Sequence, residues 1–235
     1  MQMRLTLGAA CALVLGLAGN AQAQSHPGVV VELYTSQGCS SCPPADEFLA
    51  ALAADPRVIP LALHVDYWDY IGWKDQFADP RYTERQKAYA RAVGSRTIYT
   101  PQMIVGGVDR VEGHAPEEVA ALILKHMQAA ERVGLWLERE GDVLRIQAEA
   151  DPPLDAAVRV QLVRYRPEET VDIEHGENAG RTVTYRNIVT SWQVLGEWGG
   201  QAPLSLEAPA AGDEPVAVIL QHDGPGPILA AASLP

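Results

Sequence analysis

Residues 29–54 read VVVELYTSQGCSSCPPADEFLAALAA, and the junction at their centre decides the fold. The first part is β-branched and apolar almost without interruption, the pattern of a strand covered on both faces, as in parallel sheets flanked by helices. The last part places Phe48, Leu49 and Leu52 on one face, which predicts a short amphipathic helix ending near Asp55-Pro56. Cys39 and Cys42 lie between them, with two residues separating the thiols. That spacing lets both sulfurs meet at one turn, where free backbone N–H groups and the positive end of a helix dipole stabilise a thiolate. The placement favours redox chemistry over inert packing. Cys39, nearer the exposed end, is the expected attacking thiol, and Cys42 the resolving one.

Pro43 and Pro44 have no N–H, so the helix is predicted to start at Pro43 with Cys42 at its cap. Asp46 and Glu47 fall in its first turn and oppose further negative charge, so thiolate stabilisation at Cys39 should be weaker than in a basic site. Glu32 interrupts the apolar strand. It either points to solvent at a strand edge or is a buried carboxylate near the thiols that relays protons.

The amino terminus carries Arg4, an apolar run over residues 5–18 and then Ala21-Gln22-Ala23, a small-x-small pattern. Residues 1–23 therefore read as a cleaved secretory signal, because the apolar run is about 14 residues long where spanning a bilayer takes roughly 20. Cys11 leaves with that signal, so two of the three cysteines remain, in a periplasmic or secreted chain where disulfides persist. No membrane insertion is expected after cleavage. A net charge of -12 across 235 residues argues against nucleic-acid or anionic-membrane binding.

A second apolar run over residues 57–66 completes a βαβ unit, whose crossover should be right-handed and whose strands should be parallel. Trp68, Tyr70, Trp73 and Phe77 follow, either as core packing or as a binding lip over the thiols. Asp79 and Pro80 open a helix with Tyr82, Tyr89 and Val93 on one face and Gly94 at its stop. Residues 102–105 and 108–111 read as a hairpin turning at Gly106-Gly107, and residues 115–130 as a helix. Beyond Arg132, short alternating runs separated by Gly, Pro or Asp predict a small antiparallel β-sandwich or barrel. Residues 28–132 and 133–235 are thus expected as two domains. Residues 170–181, TVDIEHGENAGR, match no calcium loop and read as a hairpin connection that faces solvent or touches a neighbouring domain or partner.

VVELYTSQGCSSC with its helix, a second strand ending LHVD, and Tyr99-Thr100-Pro101 before a hairpin and final helix resemble the βαβ–ββα plan of the thioredoxin superfamily. The resemblance implies an α/β, thioredoxin-like fold for residues 28–132. It also implies a cis Pro101 beside the cysteine pair, with Thr100 and Pro101 binding a substrate peptide through their backbone. The superfamily's buried Asp ahead of the motif is not matched; Glu32 is nearest and one residue out of register. More narrowly, HVDYWDYIGWKDQFADPRYTERQKAYA and GENAGRTVTYRN are similar to a secreted bacterial thioredoxin-like family of unknown function. That match spans nearly all of the mature chain and implies that the β-rich part belongs with the redox part.

The expected activity is thiol–disulfide exchange with protein thiols or disulfides and a redox partner, with no cofactor and no resident metal. Two alternatives stay open. The same thiolates, with His64 or Met103 nearby, suit a soft metal such as Cu(I). A structural disulfide, with the β-rich part as an interaction module, is the other.

Overall fold

The computed structural model describes residues 26–128 and 132–235; the signal expected over 1–23 and Ala130 lie outside the described residues. After a two-residue strand β1 (His26–Pro27), the apolar run forms β2 (Val29–Thr35). Its lack of alternation has a direct cause. Val31 and Leu33 pack with Ala45 and Leu49 of α1 (Pro43–Leu52) and with Val119 and Ile123 of α3 (Pro116–Met127) on one face. Val30 and Tyr34 pack with Tyr82 and Tyr89 of α2 (Pro80–Ala92) on the other. β3 (Val58–His64) lies parallel to β2 from Val29↔Val58 to Thr35↔His64, completing the βαβ unit.

The Asp79 side chain caps α2 by accepting from the Arg81 N–H, and Gly94 takes a φ of 73° just beyond the helix. Val93 does not join the apolar face: α2 ends one residue earlier, and Val93 is 54% exposed. β4 (Gln102–Val105) and β5 (Asp109–Glu112) form the expected hairpin, with Gly106 and Gly107 at φ 60° and 76°. The return strand starts one residue later than expected.

The second half supplies β6 (Val133–Glu140), β7 (Val143–Ala150), β8 (Val158–Ile173), β9 (Arg181–Trp198), β10 (Leu204–Pro209), β11 (Val216–His222) and β12 (Ile228–Leu234). These strands are antiparallel to one another, yet most of them extend the first sheet. A nine-stranded sheet runs β1-β12-β11-β8-β9-β3-β2-β4-β5, while β10-β7-β6 form a separate three-stranded layer. Leu135, Leu144 and Ile146 of that layer pack against Val160, Val218 and Leu220 to make a second core. The molecule is mixed α/β and rich in strand.

Within the long sheet the two halves join where β9 runs parallel to β3 at Ala62↔Ile188, and further bonds link them at Gly28–Ala231 and Gly106–Ile228. Pro60 offers no N–H to a ladder, and the strand register here is confined to that one pair. Asn187, at φ 50°, donates its Nδ2 to the Pro60 carbonyl at 2.8 Å. β8 and β9 pair out to Ile173↔Arg181, so the connection expected over 170–181 shrinks to a turn at 174–180. Among the described residues, no helix is long and apolar enough to cross a membrane.

Candidate active site

β2 ends at Thr35 and the chain folds back at once: Cys39 N–H donates to Ser36 O at 3.1 Å, and Gly38 N–H to Ser36 Oγ at 3.1 Å. Cys39 and Cys42 are joined as a disulfide with their Cα atoms 5.4 Å apart. Cys42 is the N-cap of α1, as the proline pair predicts, and its carbonyl accepts from Ala45 and Asp46 N–H at 2.8 and 3.1 Å. Ser41 Oγ lies 3.5 Å from Cys39 Sγ. Ser40 and Ser41 are exposed, but Cys39 is 1% exposed and Cys42 0%.

The aromatic segment pins this loop in place. A Cβ on Gly38 would lie 3.1 Å from both Trp68 Cβ and Ile71 Cδ1, so glycine is what lets the two segments touch. Trp68 Nε1 donates to Thr100 Oγ1 at 2.7 Å, linking the disulfide loop to the Thr100–Pro101 bond, which is cis. Trp73 Nε1 donates to Gln37 Oε1 at 2.7 Å. Phe77 meets the His64 ring edge-on with centroids 5.1 Å apart, whereas Tyr70 is 82% exposed. The four aromatics therefore do not act as one cluster.

Behind the loop is a buried acid–base group. His64 Nδ1 and Asp75 Oδ2 are 2.7 Å apart, and Asp75 also accepts from the Gln37 and Phe77 N–H groups at 2.8 and 2.9 Å. Burial works against a charged His64, but the Asp75 and Asp46 carboxylates outweigh it and hold the imidazole above its usual range. Asp46 sits one helical turn beyond Cys42; burial pushes its carboxyl up to about 7, against the pull of His64. Buried side-chain atoms without a hydrogen-bond partner in the protein gather here: Thr35 Oγ1, Gln37 Nε2, both Asp46 oxygens, His64 Nε2 and Asn178 Oδ1. Elsewhere among the described residues, Arg139 Nε and Ser191 Oγ are the others.

Glu32 follows neither of its expected readings. It is fully buried, but on the α2 face of β2 rather than the α1 face. Arg85 donates to it through Nε and Nη2 at 2.7 and 2.8 Å, and Tyr34 and Tyr89 hydroxyls donate at 2.9 and 2.6 Å. Met103 lies in the apolar core, paired across β4 with Leu33 and Val111. No group of three or more His, Cys, Asp or Glu side chains among the described residues is placed to hold a metal ion.

Asn178, from the 174–180 turn, donates Nδ2 to the carbonyls of Gln37 and Cys39, both at 2.9 Å. Neither Asn178 nor Asp75 is legible as a site residue in the sequence, since each arrives from a distant segment. Asp46 was within reach of it: four residues after Cys42 on a helix is the same face.

A family model described as a protein of unknown function, DUF1223, matches residues 30–221. The chain belongs to the DUF1223 family. The matched span runs from β2 to β11, so the family unit includes both parts of the long sheet. The X-ray crystal structure of a protein from Agrobacterium tumefaciens superposes with a TM-score of 0.76 at 35% identity, over 88% of this chain and 93% of that one. HBP35 of Porphyromonas gingivalis, at 15% identity, gives a TM-score of 0.65 over 88% and 74%, a likeness of fold alone. Comparison with curated proteins finds no match.

Proposed function

We propose that this DUF1223 protein is a periplasmic or secreted thiol–disulfide oxidoreductase acting on protein thiols or disulfides. The observation that carries the proposal is the oxidised Cys39–Cys42 pair at the start of α1, backed by the buried Asp46, His64 and Asp75. The βαβ unit, the β4–β5 hairpin and α3 support a thioredoxin-like reading of residues 28–132, in which Thr100 and Pro101 present backbone to a substrate peptide.

In the reducing direction the Cys39 thiolate attacks one sulfur of a partner disulfide, and the other partner sulfur leaves as a thiolate. Cys42 passes its proton to the Asp46 carboxylate and attacks Cys39 Sγ. The Cys39–Cys42 bond re-forms, the second partner sulfur leaves, and two electrons have passed to the partner. Oxidation of a partner dithiol is the same sequence reversed. An acid near 7 suits this proton exchange at neutral pH. The test is turnover of a model protein disulfide: Cys39→Ser abolishes it, and Cys42→Ser accumulates a mixed disulfide through Cys39. Unchanged turnover in both variants removes the proposal.

A further inference from the structure

With Cys39 1% exposed and Cys42 0%, an incoming sulfur has no open path to the bond it must break. Trp68 and Ile71 fill the space beside Gly38. The 174–180 turn closes on the same segment from the far end of the β8–β9 hairpin, through the two hydrogen bonds that Asn178, itself 2% exposed, donates to Gln37 O and Cys39 O.

The rest of the turn is hydrogen-bonded within its own hairpin, Ala179 N–H to Gly176 O at 3.3 Å, Gly180 N–H to Ile173 O at 2.7 Å and Arg181 N–H to Asn178 O at 3.2 Å, and its side chains face solvent. Glu174, His175, Glu177, Ala179 and Gly180 are exposed. The His175 ring is tilted over Trp73 with centroids 6.3 Å apart, and Gly176 lies against Trp73 and Ile71, where an added Cβ would come to 3.3 Å of Trp73 Cβ. Asn178 Oδ1 is buried without a partner in the protein, so the side chain's anchorage is its two donated bonds. Below the turn, Ile173 and Tyr185 pack with Trp73 and Phe77 in a small core of their own. The turn can therefore lift while the hairpin beneath it stays paired.

We propose that the 174–180 turn is a cover over Cys39, latched by Asn178, which a partner polypeptide displaces to reach the disulfide. The latch occupies two backbone carbonyls beside the attacked sulfur. An extended peptide flanking a cysteine brings N–H donors that replace it; a small thiol without amide donors does not. The biological meaning of the cover rests on the exchange activity proposed above, but its test does not.

The test is the rate at which a water-soluble phosphine reduces the disulfide of the purified protein. The phosphine attacks one sulfur and is hydrolysed to its oxide by water, leaving two thiols, so no partner and no catalytic turnover are involved. Two hydrogen bonds of ordinary net strength correspond to about a ten- to hundredfold change in an opening equilibrium. Asn178→Ala should accelerate reduction at least tenfold, and a folded variant reduced within twofold of the parent rate overturns the cover. Should that variant not fold, the parent decides: local opening makes the phosphine rate nearly independent of low urea, with the Ala179 amide, bonded within the turn, exchanging in the same way and the Gly180 amide, bonded to Ile173 O, staying protected. A rate that climbs with urea as global unfolding does overturns the proposal. Fast phosphine reduction in Asn178→Ala, in a protein that catalyses no exchange, keeps the cover and removes the enzyme.

Discussion

Asp46 concentrates the physical tension of the site. Its carboxyl is raised from 3.8 to about 7, chiefly by burial, while His64 pulls it down and Asp75 and Glu47 push it up; Tyr185 of β9 faces the same space. Because the folded value lies above the unfolded one, the stabilising contribution is complete below about pH 4 and is lost as pH rises through 7, by roughly 4 kcal/mol in all. Asp46→Asn should therefore gain stability over the parent as pH rises from 5 to 8, read from urea midpoints; a difference that stays constant over that range contradicts this account. From sequence, Asp46 is a first-turn charge that opposes a thiolate. The groups that act on it, His64, Asp75 and Tyr185, are not local to it in sequence. Glu32 was opaque for the same reason: its partner Arg85 lies 53 residues away, and strand alternation alone does not say which face a helix will cover.

At the scale of elements, the strand–turn–helix at Cys39 was the most legible part, because two prolines and an unbroken apolar run each have one good structural outcome. The βαβ unit, the capped α2 and the Gly106-Gly107 hairpin follow from equally local chemistry. The outer parts of β8 and β9 were not legible. Over residues 164–173 only Val171 and Ile173 are buried, so the run RYRPEETVDI carries charge along most of its length. The attachment of β9 to β3 was also hidden, since Ala62↔Ile188 and the Asn187–Pro60 bond have no sequence signature. Asn187→Ala removes that bond from a residue at positive φ and should cost about 1–2 kcal/mol. Asn187→Gly, which keeps the backbone conformation, should cost less. Equal urea midpoints for parent and Asn187→Ala would show that the junction is held by other contacts.

At the scale of the whole molecule, the β-rich half does two jobs for the disulfide. Through β9 it closes the second edge of β3, and through the β8–β9 hairpin it brings Tyr185 and Asn178 to the acid–base group and to the Cys39 backbone. A disulfide spanning two residues closes too small a loop to stabilise a chain of this size much by entropy, so its placement among buried acids and a latch calls for another explanation. Thiol–disulfide exchange, as proposed above, supplies one. Its most direct test is the equilibrium of the Cys39–Cys42 bond in graded thiol–disulfide redox buffers at pH 7, followed by the appearance of two thiols. A midpoint above about -300 mV, in the range of catalytic pairs, is the predicted result; reduction only below about -300 mV, as for structural bridges, would contradict it.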